Sequence, residues 1–444
     1  MKNTSLLFRI LVLNIVLIIS LLLLGLYLFS DKNTNEIYAS TLVKNMTDLY
    51  VSPDGDDDNT GNIQRPLKTI QAALDIVKPG QTIYLRNGTY SGKNTFMSSG
   101  LPDKPISIKR YNKEKAKVTL DKDEEGAIFD INGNSYINIE ELDIGSSSAQ
   151  SVHGVMMTAG AHHINILNNE IHDIKTTHPD DGNKGEANAI LLLGEGSDPQ
   201  SSISHVVISN NYIHDNINGW SENISVAGNC EYVSVNDNLI CDNTNIGIDF
   251  YGNAGYCPVL DYDQPRNCEA LRNRVSNCVS TYADCAGIYV DGGKYILISD
   301  NTVYDCPYGI EVGSEEWCSN FKDYEVTKDY NNCQNTCVVQ LNHNVLYNNH
   351  ACSIKIGGYT NDSSTGYVVR VSVCNNKLTH NGNANSSYNC EIALEKCDDV
   401  TISANDITHS TNDGQILDYG LGEDYSLNIK MFDNNLNYDN DHKL

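Results

Sequence analysis

Four short runs in this sequence resemble one another, and each carries an ionisable residue. GIDF from Gly247 holds Asp249, GIYVD from Gly287 holds Asp291, GIEV from Gly309 holds Glu311 and SIKI from Ser353 holds Lys355. Carboxylates gathered in one place repel unless a cation or a proton intervenes. Ca2+, which takes carboxylate oxygens, is a natural partner for Asp249, Asp291 and Glu311. Glu222, just before the related strand NISV, could join that set. Lys355 beside Glu311 is read either as a cross-strand ion pair or as a group that moves a proton. Asp249 and Glu311, two repeats apart, would lie ~9–10 Å apart at the backbone, which also allows an inverting acid and base.

Such residues converge only if a repeat stacks them. A second pattern, apolar-x-apolar-x-x-Asn-x-apolar, recurs along the chain, as in INILNNEI from Ile164, VVISNNYI from Val206 and ILISDNTV from Ile296. It aligns Asn169, Asn211, Asn238, Asn273, Asn301, Asn344, Asn376, Asn405 and Asn434. The acid-bearing strands start 22 to 44 residues apart, so the shortest interval is the basic coil and the longer ones add loops. Short strands of this kind bury their apolar face only by stacking, and an Asn at one fixed turn can bond to the Asn of the next coil. The pattern predicts an all-β chain, a right-handed parallel β-helix.

In that register Ile248, Ile288, Ile310 and Ile354 point inward, and the residues between the apolar positions point out. One outward column reads Ser225, Asp249, Tyr289, Glu311, Lys355; the next reads Ala227, Tyr251, Asp291, Gly313, Gly357. Long inserts at 253–267, 314–336 and 357–366 flank this patch, and Gly357 and Gly358 would leave room for a substrate chain. His172 and His214 share a position in neighbouring coils, with Cys241 next, and read as a surface stack rather than a metal pair. Asp180-Asp181-Gly182 reads as a solvated turn.

The chain has 444 residues and a net charge of −27. That balance argues against a nucleic-acid partner and fits an outward-facing protein that binds cations. Residues 10–29 are mostly apolar, preceded by Lys2 and Arg9 and no acid, so residues 1–30 read as a signal anchor or a cleaved signal peptide. Both readings place the remainder outside the membrane, secreted or on the cell surface, with any membrane contact limited to this segment. A linker at 31–48 and a β-helix domain at 49–444 are expected. LKTIQAALDIV from Leu67 reads as a capping helix with Thr69 at its start, inside an N-terminal cap and first coil at 49–92. All 14 cysteines fall between Cys230 and Cys397, which in an exported chain suggests disulfides. Cys278 with Cys306 and Cys352 with Cys390 align one coil apart. Sequons stand at Asn45, Asn87, Asn223, Asn361 and Asn385.

The stretch YVSPDGDDDNTGNIQRPLKTIQAALDIVKPGQTIYLRNGTY, followed by GIDFYG, LDYDQPRN, GIYVDGG and GIEVGSEE, resembles secreted right-handed β-helix proteins of the pectate lyase-like superfamily, many of them polysaccharide lyases. The resemblance implies β-elimination in an acidic, uronate-containing polysaccharide, with Ca2+ held by Asp249, Asp291, Glu311 and Glu222. Lys355 would be the base, with Asp249 and Glu311 beside it. Arg266 would clamp the substrate, and Tyr251, Tyr289, Asp263 and Glu315 would line its path. Family nine pectate lyases carry a DDGWD-type calcium motif. The nearest segment here, Asn216-Ile217-Asn218-Gly219-Trp220-Ser221-Glu222, keeps the Gly-Trp pair and replaces the acidic pair. A glycoside hydrolase using the same acids and a non-catalytic carbohydrate-binding or adhesive protein are the alternatives. A monomer is expected.

Overall fold

The computed structural model describes residues 47–315, 336–359, 365–382, 386, 388–410, 414–420 and 426–439. The expected membrane-directed segment, most of the 314–336 insert and part of the 357–366 insert lie outside the described residues. No helix among the described residues is long and apolar enough to cross a membrane. The chain divides between Asp48 and Leu49, and the unit from Leu49 onward carries the sheets.

The described strands form three parallel sheets of 13, 11 and 12 strands, each adding one strand per coil. The interior is a stack of single-residue columns. Ile248, Ile288, Ile310, Ile354 and Ile392 pair in register, and Phe250, Val290, Val312 and Ile356 form the next column. The first four isoleucines and the second column are fully buried. Such β-branched and aromatic side chains suit strands buried against the neighbouring coils.

The asparagine ladder runs unbroken through all nine expected positions. Each Asn from Asn169 to Asn405 donates its side-chain amide to the next Asn up the stack, from Asn169 on Asn211 at 3.2 Å to Asn405 on Asn434 at 2.9 Å. The residue before each ladder position takes a left-handed backbone, and in most coils it is Asn, Asp or His. Asn and Asp adopt that conformation most readily after glycine. This turn swings the ladder amide inward, where no water can replace a lost partner.

A second ladder, which the sequence pattern does not announce, runs at another turn. It starts with Asn216 and Asn243, which bond in sequence, and resumes at Asn349 and Asn381. Between them the same turn, after the left-handed Asn277 and Asp305, carries Cys278 and Cys306. The described cysteines are all free thiols, most of them buried. The expected disulfides are therefore absent among the described residues. Cys352 and Cys390 do pair in register, but as small buried side chains.

The helix covers Ile70–Ile76, shorter than the periodicity predicts, because Thr69 caps it by accepting the Ala72 N–H. It turns Ile70, Ala73 and Leu74 into the core.

Asn301 exemplifies the energetic stake in the ladder. Its amide donates to Ala270 O at 2.9 Å and Asn344 Oδ1 at 3.0 Å, and its Oδ1 accepts two bonds from Asn273. Asn301→Ala leaves several buried polar groups without partners, at about 1–3 kcal/mol each. A total loss of about 3–6 kcal/mol in urea unfolding is expected. A loss under about 1 kcal/mol would show that the ladder adds little stability.

Candidate active site

The outward columns follow the predicted register. Ser225 pairs with Asp249, Asp249 with Tyr289, Tyr289 with Glu311, and Glu311 with Lys355, while Asp291 pairs with Gly313. They lie on the eleven-stranded sheet, which forms the floor of a groove of about 660 Å³. Asp249, Asp291, Glu222, Tyr251, Tyr289 and Glu315 line this groove.

Burial is nearly uniform along the floor, where Ser225, Asp249, Tyr289, Asp291, Glu311 and Lys355 are all 0–3% exposed. Asp249 is only 2% exposed, and its Oδ1 finds no hydrogen-bond partner in the protein. Burial pushes its carboxyl well above the usual carboxylate range, and the charges of Glu222, Asp291, Glu315 and Glu311 push it further. Glu222 is half-buried and lines the groove. Burial raises it to about 7, opposed by a bond from Ser225 and helped by the charges of Glu186 and Glu315. Asp291 Oδ1 accepts the Glu315 N–H at 2.7 Å. Tyr289 donates its hydroxyl to Glu315 at 3.1 Å.

Several expected site residues lie elsewhere. Lys355 and Glu311 are 0% and 1% exposed and do not line the groove. Lys355 Nζ bonds to Glu311 Oε1 at 2.7 Å and to Gly357 O at 3.3 Å, and lies 3.7 Å from the centre of the Tyr359 ring. Tyr359 also donates to Glu311 at 3.3 Å and closes over the pair. A second apolar cluster, which includes Tyr289, Tyr308, Cys352 and Tyr388, packs outside the main core. It buries side chains that the strand pattern alone turns toward solvent.

Arg266 belongs to the thirteen-stranded sheet, where it bonds to Asn229 at 2.9 Å and approaches Glu231 at 3.4 Å. It does not line the groove. Asp263 is fully buried and accepts the N–H groups of Gly255 and Cys257, so it pins the 253–267 insert rather than facing a substrate. Gly357 and Gly358 do not make room for a ligand. A Cβ on either would collide with the backbone of Glu395 or Gly366, so they let neighbouring segments pack. Asn223 is fully buried, with its amide bonded to Ile246 O at 3.0 Å.

The walls supply residues that the strand register does not reveal. Glu186, Trp220, Tyr256, Asp284 and Tyr359 all line the groove. Trp220 and Tyr256 are 47% and 40% exposed. The Asp180-Asp181-Gly182 turn is part of this wall: a Cβ on Gly182 would meet the Trp220 ring at 3.0 Å. The Gly219-Trp220 pair is the one sequence signal that points to Trp220. Away from the groove, the His172 and His214 rings stack 5.1 Å apart, and each bonds to nearby acids.

The described residues contain no group of three or more His, Cys, Asp or Glu side chains arranged to hold a metal ion. As they stand, the described groove acids are not gathered into a preformed Ca2+ site. What the arrangement offers is carboxyls that burial inclines to hold a proton, beside exposed aromatic faces.

Known proteins share this architecture. The uncharacterized protein YwoF of Bacillus subtilis (strain 168) is 30% identical over 326 residues, covering 70% of this chain and 64% of that protein. Pectate lyase PEL9 of Emericella nidulans is 43% identical over 73 residues, 16% of this chain and 18% of that one. The chain thus spans less than two thirds of the length of either relative. A solved GH136 lacto-N-biosidase from Eubacterium ramulus superposes with a TM-score of 0.54 at 13% identity, covering 92% of this chain and 70% of that one, a likeness of fold alone. The model of the Pel9A-like right-handed β-helix region matches residues 49–389, from the first strand through most of the stack, and this chain belongs to that family.

Proposed function

We propose that the groove cleaves a glycosidic bond of an extracellular glycan, with Glu222 as the proton donor and Asp291 as the carboxylate that activates water. The observation that carries this reading is Glu222, held at about 7 beside a buried, protonation-prone Asp249. A general acid works best when its midpoint lies near the working pH. Trp220 and Tyr256 present faces on which a sugar ring can stack. The charges of Glu186 and Glu315 add to the burial that opposes ionisation of Glu222. The hydrolase alternative built on Asp249 and Glu311 is thereby revised, since Glu311 lies under Tyr359.

A second reading is favoured by the family match: Ca2+-dependent β-elimination of an acidic polysaccharide, with Lys355 as base. It requires Tyr359 to swing away, Lys355 to leave Glu311, and a cation to draw the groove acids together. Incubation with pectate, alginate and neutral glycans, with and without EDTA, separates the readings. New reducing ends without unsaturated product, unaffected by EDTA, are expected. Unsaturated product lost with EDTA would replace this reading with the lyase, and binding without cleavage would leave a carbohydrate-binding surface.

A further inference from the structure

The charge of the groove is one-sided. Glu186, Glu222, Asp249, Asp284, Asp291 and Glu315 line it, and no Lys or Arg is among the described lining residues. Nearby cations are engaged elsewhere: Lys355 by Glu311, and Lys396 by the backbone oxygen of Thr365 at 3.0 Å. At the centre of the floor, Asp249 Oδ1 is buried and has no hydrogen-bond partner. A native protein seldom leaves such an atom unsatisfied unless something outside the chain satisfies it.

A polyuronate would bring further negative charge into this field, and a neutral sugar would leave the field uncompensated. An ammonium group compensates it and also supplies the missing donor to Asp249. We propose that the groove takes a positively charged glycan, an amino sugar whose nitrogen is unacylated, with that nitrogen over Asp249. Trp220 and Tyr256 add ring faces that attract both the apolar side of a pyranose and a cation. The glycan class rests on the groove being a glycan site, while the charge preference rests on the groove acids themselves.

The test is calorimetric binding of the full-length chain to glucosamine and galactosamine oligomers, to their N-acetylated counterparts, and to oligogalacturonate with and without Ca2+. The unacylated oligomers are expected to bind at least about tenfold more tightly than the acetylated ones at roughly 20 mM salt, with the gap shrinking at roughly 200 mM. Asp249→Asn should narrow that gap. If that variant fails to fold, the exposed Asp284→Asn should narrow it in the same direction. Equal or tighter binding of acetylated oligomers, preference for oligogalacturonate with Ca2+, or no binding to any of these would overturn the proposal. A reducing-end assay on the same oligomers keeps the two ideas apart. Cleavage without a charge preference retains the hydrolase and removes the amino-sugar specificity. A charge preference without cleavage does the reverse.

Discussion

Glu222→Gln is expected to lower kcat by about 10²–10⁴-fold on whichever glycan the groove cleaves, with a much smaller change in KM. Gln keeps the size and polarity of the side chain but cannot deliver a proton to the leaving oxygen. The wild-type rate should fall as pH rises through about 7, because Glu222 then loses the proton it must donate. The variant should lose that alkaline limb. Substrates whose leaving group needs no protonation should be cleaved by the variant at close to the wild-type rate. A variant with full activity and an unchanged pH profile would remove Glu222 from the mechanism. The size of the effect comes from location: the same residue on an open surface would titrate near the ordinary Glu value of about 4.3 and be ionised at neutral pH.

Lys355→Met is expected to destabilise the protein by about 3–5 kcal/mol, because it leaves Glu311 buried without its counter-ion. Lys355 and Glu311 show 0% and 2% of their side-chain surface, and their only close charge partner among the described ion pairs is each other. Removing both charges together, as Lys355→Met with Glu311→Leu, should recover most of the loss, since no lone charge then remains buried. Midpoints of urea unfolding for the two single variants and the double variant complete the cycle. The experiment also decides the role of Lys355. If the double variant folds well and still cleaves substrate, the amine is a structural group. If it folds well and all cleavage is lost, the base assignment implied by the family resemblance returns.

The stack is legible because a solenoid repeats its constraints. Each coil needs an inward β-branched or aromatic residue at the same step and a ladder Asn after the same left-handed turn. Asn169 to Asn434 and Ile248 to Ile354 therefore align without any structure, and the order Asp249, Tyr289, Glu311, Lys355 up the sheet follows from the two-residue strand period. The second ladder is hidden because Cys278 and Cys306 interrupt its asparagines, and a thiol in a buried turn carries no signal of that kind.

Which outward residues meet solvent is not legible. Strand alternation reports only the side of the sheet to which a side chain points. It does not report what lies over that side. Tyr359, 48 residues from Glu311 in sequence, covers the Glu311–Lys355 pair. Arg266 and Asp263 follow Asp249 closely in sequence, yet Arg266 has passed to another sheet and Asp263 has turned in to hold its loop. Trp220 and Tyr256 reach the groove from turns and inserts, whose lengths vary from coil to coil and so have no shared register. Periodic contacts between adjacent coils specify the β-helix, its ladder and the column that bears the acids, and periodicity is written in the residues themselves. That Asp249, Asp291 and Glu222 line the groove while Glu311 and Lys355 do not is settled by the folded chain alone, because non-periodic segments such as the one bearing Tyr359 pack over part of the sheet.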